Sequence, residues 1–205
     1  EERRPRFAPL GKGKKGHGAE ELLEKAEIRR VPVPPHRLSP LRDQWPNVRG
    51  PLVEHMGLLV RMNTKTQCVE LMASDDVEDA EALQRGEEFV RAFMCGFDVD
   101  DALALLRVSD IAVESFDVTE VKSLHGDHLS RAIGRIAGTR GRTKHAIEHA
   151  TRTRIVVAHT RVHILGATAN VAIARDAIGS LILGAPPSKV YNHMRTVAAR
   201  LSSRY

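Results

Sequence analysis

Apolar positions along the chain change period several times, and each change marks an element. Between His128 and Ala158, Leu129, Ile133, Ile136 and Ala137 recur at helical spacing while Arg131 and Arg135 fall on another face, which predicts a short amphipathic helix. The period halts at Gly138-Thr139-Arg140-Gly141. Ala146, Ile147 and Ala150 resume it, and Arg154 to Ala158 then runs out as a strand. Arg161 to Leu165 predicts another strand, and Thr168 to Leu183 a closing helix with Val171, Ala174, Ile178 and Leu181 on one face. Ile111 to Val118 supplies a strand ahead of them. Gly184 and Pro186-Pro187 end the closing helix, and Ser188 opens a further one carrying Val190, Met194, Val197 and Leu201 on one side. An amphipathic tail of this kind needs either a partner or its own domain to pack on.

The first half repeats part of this order. Leu58 to Met62 and Val69 to Met72 read as strands around the polar Asn63 to Thr66 turn, Val77 to Cys95 as a long helix, and Val99 to Leu106 as one more. Leu52 to Met56 fits part of an earlier helix. Ahead of it, Val31-Pro32-Val33-Pro34-Pro35 must be extended, and residues 20–28 have the composition for a helical turn or two. Within residues 41–107 no GxxG precedes these strands. The expected fold class is α+β: a basic extended arm over 1–40, a degenerate KH-like domain over 41–107, a KH domain with GxxG over 108–185 and a helical tail over 186–205.

The KH reading rests on what a GxxG turn can do. Glycines lacking Cβ accept positive φ and let a ligand approach the backbone, and the helix that follows aims unpaired N–H groups and its positive dipole end at the turn. A KH domain uses this geometry to hold about four backbone nucleotides of single-stranded RNA. The candidate phosphate contacts are Gly138, Thr139, Arg140, Gly141, Arg142 and Lys144. No Phe, Trp or Tyr occurs between Phe116 and Tyr191, so bases in that half would lie on an aliphatic groove instead of an aromatic platform. Ile133, Ile136 and Ile155 are candidates for its floor and Arg131, Arg135, Arg152 and Arg154 for its margins, although the same aliphatics also suit an ordinary core.

Charge sharpens this division. Residues 1–40 carry ten basic against six acidic residues, 41–107 seven against thirteen, and 108–205 fourteen against seven. Nucleic acid is therefore expected on the basic ends, with the acidic middle left for protein contacts. The 42% hydrophobic content allows two small cores, no apolar run reaches the roughly 18 residues of a membrane span, and two cysteines, Cys68 and Cys95, suit a reducing compartment. Gly11, Gly13 and Gly16 spell GxGxxG without a preceding strand, so a dinucleotide fingerprint is rejected. His125 and His128 lack further metal ligands, no nucleophile elbow occurs, and no catalytic residue, metal site or cofactor is expected.

Joined together, HGDHLSRAIGRIAG, TRGRTKHAIEHATRTRIVVA and the stretch from His163 to Tyr205 closely resemble the partner-of-Nob, or Dim-type, KH factors of small-ribosomal-subunit assembly. VPVPPHR at Val31 to Arg37 and GFDVDDALALLR at Gly96 to Arg107 share the resemblance, which covers about residues 28–205. It implies a non-enzymatic factor that binds pre-rRNA near the small-subunit 3′ end. The implied partners are the maturation endonuclease of the Nob family, small-subunit ribosomal proteins and other assembly factors. The implied location is the nucleolus and nucleus, then cytoplasmic pre-ribosomal particles. It adds Lys189, within the Pro186 to Tyr191 family feature, to the RNA-binding candidates. The turn departs from the family's Gly/Lys-rich loop by carrying Thr139-Arg140. Another KH-type regulator or assembly factor without a nuclease partner is the alternative.

Overall fold

The computed structural model describes residues 27–74 and 81–202. The first unit runs β1 (Ile28–Pro32), a 3-10 turn (Pro35–Arg37), α1 (Leu38–Asp43), α2 (Trp45–Glu54), β2 (Leu58–Asn63), β3 (Cys68–Ala73), α3 (Ala82–Cys95), α4 (Val99–Ala102) and α5 (Ala104–Arg107). The second runs β4 (Ile111–Asp117), α6 (Val118–Val121), α7 (Gly126–Ala137), a 3-10 turn (Thr139–Gly141), α8 (Arg142–Thr151), β5 (Arg154–Ala158), β6 (Arg161–Ala167), α9 (Thr168–Leu183) and α10 (Pro187–Ser202). Each unit holds an antiparallel sheet with its last strand in the middle, β1-β3-β2 and β4-β6-β5. The mixed α+β architecture with two KH-type units matches the expectation, and both units show the strand-helix-helix-strand-strand-helix order that was expected in full for the second.

One boundary is corrected. Residues 28–40 were expected in an extended arm, yet β1 pairs with β3 from Ile28 opposite Met72 to Pro32 opposite Cys68. Val31 and Val33 are buried. Prolines made the stretch look like a linker, but an edge strand tolerates them because one side of its backbone has no ladder to complete. Its arginines are sheet residues too: Arg29 pairs with Glu87 at 2.8 Å and Arg30 with Glu70 at 3.6 Å. The helical turn expected over residues 20–28 lies, up to residue 26, outside the described residues, as do the basic stretch before it and the acidic residues 75–80.

The two cores differ in material. The first is built on Phe89, Phe93 and Phe97 with Leu41, Leu52, Leu58 and Leu71, and each such side chain contributes about 1.5–3 kcal/mol when fully buried. In the second, Ile136, Ile147, Ile155, Ile164 and Ile178 surround a single buried phenylalanine, Phe116. The second sheet is covered on both faces. Val162 and Ile164 point into the helices of their own unit, while Leu165 on the other face joins the first core, where Val113 and Val156 pack beside it.

The last helix packs on its own unit. Val190 and Met194 of α10 are buried in the second core, against α8 and α9. Of the two readings open from the sequence, a free tail seeking a partner and a helix docked at home, the structure shows the second. No helix among the described residues is long and apolar enough to cross a membrane.

Candidate nucleic-acid interface

α7 ends because Gly138 leaves the helical region, at φ +71°, and after Thr139 the backbone takes positive φ again at Arg140 (φ +55°) and Gly141 (φ +77°). Only glycine fits the first position. A Cβ on Gly138 would sit 2.1 Å from Thr143 Oγ1 and 2.8 Å from the Thr143 backbone nitrogen. Arg140 holds the left-handed conformation despite its Cβ, a strain of roughly 1–2 kcal/mol, and strain of this size concentrates at ligand sites.

The turn is dressed for an anion. Gly141 stands in the cap position just ahead of α8 and has no side chain to cap it, and the first turn of α8 contains no acidic residue. Its positive dipole end and first N–H groups therefore face outward without a carboxylate in competition. Thr139, Arg140 and Arg142 are exposed. Among the described residues neither arginine has an ion-pair partner.

The remaining candidates separate. Lys144 leans back on Glu148, Nζ to Oε1 3.6 Å. Arg131 is exposed on α7, two turns ahead of Gly138, or about 10 Å by helical rise. Arg135 is committed elsewhere: its Nε donates to the Leu181 carbonyl at 3.1 Å and its Nη2 to that of Ile182 at 3.2 Å, closing the C-terminus of α9. Arg152 ends α8 in a left-handed conformation, at the far end from the turn, about 15 Å away. Arg154 donates to Asp101 Oδ1 at 2.9 Å and so ties the second unit to the first. Lys189 is exposed in the first turn of α10. The proposed groove floor is corrected: Ile136 and Ile155 are buried core, and only Ile133 is partly exposed.

Two features escaped sequence reasoning. Arg142, His145, His149 and Arg152 stand at i, i+3, i+7 and i+10 on α8, all exposed, and make one basic stripe running from the turn. That spacing was readable, but attention to charge alone passed over the histidines. Glu148 is buried and holds the end of α8 to β5, its Oε1 accepting from the Ile155 backbone at 2.8 Å and its Oε2 contacting His145 Nδ1 at 2.9 Å. No sequence signal separates such a carboxylate from a solvated one.

Nearby titrating groups belong to the scaffold. Burial, helped by Arg161, holds the His163 imidazole below its ordinary pKa, and its Nδ1 lies 2.6 Å from Ser115 Oγ. Hydrogen bonds from the Thr119 hydroxyl and backbone, then Thr160, hold Asp117 below the usual carboxylate range. Among the described residues no group of three or more His, Cys, Asp or Glu side chains is placed to hold a metal ion.

A pair of sheets with one helix-turn-helix carrying GxxG defines a tandem KH protein in which, among the described residues, the GxxG turn belongs to the second unit. Residues 115–199 match the family model of the second KH domain of PNO1, described as a eukaryotic type KH-domain, KH-domain type I. The chain is 55% identical over 201 residues to pre-rRNA-processing protein pno1 of Schizosaccharomyces pombe, covering 98% of this chain and 81% of that protein. It is 54% identical over 205 residues to pre-rRNA-processing protein PNO1 of Coccidioides immitis, covering all of this chain and 78% of that one. A crystal structure of an a/eIF2alpha–aDim2p–rRNA complex from Pyrococcus horikoshii shares the fold at TM-score 0.76 and 24% identity, over 88% of this chain and 99% of that one. The chain belongs to the PNO1 family of pre-rRNA-processing proteins.

Proposed function

We propose that the chain is a non-enzymatic RNA-binding factor of small-subunit assembly, which holds single-stranded pre-rRNA near the small-subunit 3′ end. The observation that carries this reading is the Gly138 to Gly141 turn, with Arg140 and Arg142 at the uncapped start of α8 and without an ion-pair partner among the described residues. In this reading Gly138 to Gly141 take the sugar-phosphate backbone, Arg140 and Arg142 neutralise phosphates, and the Arg142-His145-His149-Arg152 stripe with Arg131 and Lys189 draws flanking RNA electrostatically. Arg135 and Arg154 act in the scaffold, and Lys144 is shared with Glu148.

The family's relatives are pre-rRNA-processing proteins by name, which supports a role in maturing the small-subunit RNA. We assign the final cut to a separate endonuclease of the Nob family, with ribosomal proteins and other assembly factors around it. The same reading puts the protein in the nucleolus and nucleus and in cytoplasmic pre-ribosomal particles. The working division is a basic arm ahead of β1, a first KH unit without the turn to residue 107, and a second KH unit from 108 with α10 docked on it.

The test is binding of the purified chain to a single-stranded RNA of small-subunit 3′ sequence across a salt series. Thr139→Asp/Arg140→Asp is expected to lose affinity and to flatten the salt dependence, since each cation removed from a phosphate takes away about one unit of slope. Unchanged binding moves the RNA off this turn. Cleavage of that RNA in Mg²⁺ by the chain alone overturns the non-enzymatic reading.

A further inference from the structure

The two sheets differ in what lies over their outer faces. On the second, Leu165 of β6 stands between Val113 of β4 and Arg154 of β5. The stretch from Gly96 to Arg107 lies over that row: Leu165 is buried in the first core, α5 packs on β4, and Asp101 pairs with Arg154 at 2.9 Å. That cover is acidic, with Asp98, Asp100 and Asp101 among the buried Phe97, Leu105 and Leu106. Met72 of β3 holds the place of Leu165, since each directly follows the second inward residue of its middle strand, Leu71 or Ile164. Its neighbours are Ile28 and Leu59. Among the described residues this row is open, with Ile28 37% and Leu59 51% exposed. We propose that the outer face of the first sheet docks an acidic amphipathic helix of a protein partner, as Gly96 to Arg107 docks on the second.

Shape and charge agree on that occupant. A groove of about 320 Å³ opens at the row, lined by Ile28, Leu59 and Met72 with Arg61 of β2 and Arg49 and Val53 of α2. Strands about 4.8 Å apart put the outer two of three about 10 Å from each other, the width of one helix. Charge selects which helix. Residues 41–107 are acidic as a whole, seven basic against thirteen acidic, yet this face is basic. Glu70 sits between Arg30 at 3.6 Å and Arg61 at 2.5 Å, two cations to one carboxylate, and Arg49 is exposed without an ion-pair partner among the described residues. An apolar patch rimmed by charge is the mark of a protein-binding surface. A helix with Leu or Val on one face and Asp or Glu at its margins complements both parts.

The chain supplies its own probe, a fluorophore-labelled synthetic peptide with the sequence of residues 96–107, GFDVDDALALLR. The full chain is titrated into it and label anisotropy is followed. Saturable binding is expected, weaker as salt rises. The same peptide with Asp98→Lys, Asp100→Lys and Asp101→Lys should bind at least about tenfold more weakly. In the chain, Leu59→Asp places an unpaired carboxylate on the apolar row and should cost at least about tenfold. Arg49→Glu, on a different element, should cost about threefold or more. Both side chains are exposed, and urea midpoints close to the parent's show that the fold is kept. No anisotropy change up to about millimolar chain overturns the proposal, as does equal binding of the charge-reversed peptide. Weakening by Arg154→Ala but not by Leu59→Asp puts the peptide on the second sheet, by exchange with the chain's own segment, and also overturns it. Self-association of the chain without peptide, abolished by Leu59→Asp in sedimentation, gives the face to a second copy instead.

Discussion

The two KH units share a strand order and one arginine device, and they part at a single junction. In the first, Arg37 from the turn before α1 donates to the Phe93 carbonyl near the end of α3 at 2.7 Å, with its guanidinium 4.5 Å over the Phe93 ring. In the second, Arg135 of α7 does the same for α9. In each unit the C-terminal end of one long helix is thus closed by a cation at its carbonyls. The junctions diverge: Gln44 alone separates α1 from α2, whereas α7 and α8 are separated by four residues, three of them at positive φ. The fold forms with either. The strained turn is therefore an addition that folding does not require, which supports the proposal that it serves a ligand.

The sharpest break in that comparison comes from the turn itself. Gly138→Ala should destabilise the second unit by about 2–4 kcal/mol, combining left-handed strain with the clash on Thr143. Gly141→Ala, whose Cβ would meet only the His145 ring at 3.4 Å, should cost about 1–2 kcal/mol. Urea unfolding of the two variants ranks them, and equal losses would remove the steric argument for Gly138. Next in size, Arg135→Ala should cost about 1.5–3 kcal/mol for its charge-assisted bonds to α9 while leaving the salt dependence of RNA binding unchanged. A shallower salt slope in that variant would return Arg135 to the RNA surface.

Local pattern made most of the second unit legible and less of the first. Periodicity marked α7, α8 and α9 and short apolar runs between turns marked β5 and β6, because each depends on near neighbours in the chain. β1 was missed because its evidence is a partner some forty residues away, Val31 opposite Val69, while its own sequence shows prolines and arginines. The site divided the same way. Contiguous Gly138 to Arg142 were readable, but the carbonyls that hold Arg135 come from the end of α9 and the carboxylate that holds Arg154 from the first unit.

Corresponding positions on the middle strands set up a pH contrast. Glu70 on β3 and His163 on β6 each sit between two inward residues, Val69 with Leu71 and Val162 with Ile164. Hydrogen bonds from Asn63 and Arg61 hold Glu70 below the usual carboxylate range, so its contribution is present above the unfolded carboxylate pKa and is lost only as pH falls through the lower folded value. The His163 pKa is also lowered, by burial and then by Arg161. The unfolded chain then binds the proton better, so stability is complete above the unfolded histidine value of about 6.5 and declines as pH falls below it. Acidification from about pH 7 to about pH 5 should weaken the second unit while leaving Glu70's support intact. Urea midpoints at the two pH values measure this, and His163→Gln should flatten the decline. An undiminished decline in that variant would shift the cause to other histidines.

The smallest expected effect tests the seam between the units. Arg154 and Asp101 make one ion pair across it, at 2.9 Å, with the arginine side chain 58% exposed and the aspartate 28%. An exposed pair is worth about 0–1 kcal/mol, whereas Leu165, Val113 and Val156 bury apolar surface at the same seam. Arg154→Ala should therefore change the urea midpoint barely at all. Its RNA salt slope should match the parent, because the guanidinium faces a carboxylate and not a phosphate. Asp101→Asn releases that guanidinium without removing it, and if Arg154 lies beside the RNA path this variant should bind more tightly at low salt and steepen the slope. The two substitutions together separate an arginine tied into the scaffold from one held in reserve beside the RNA.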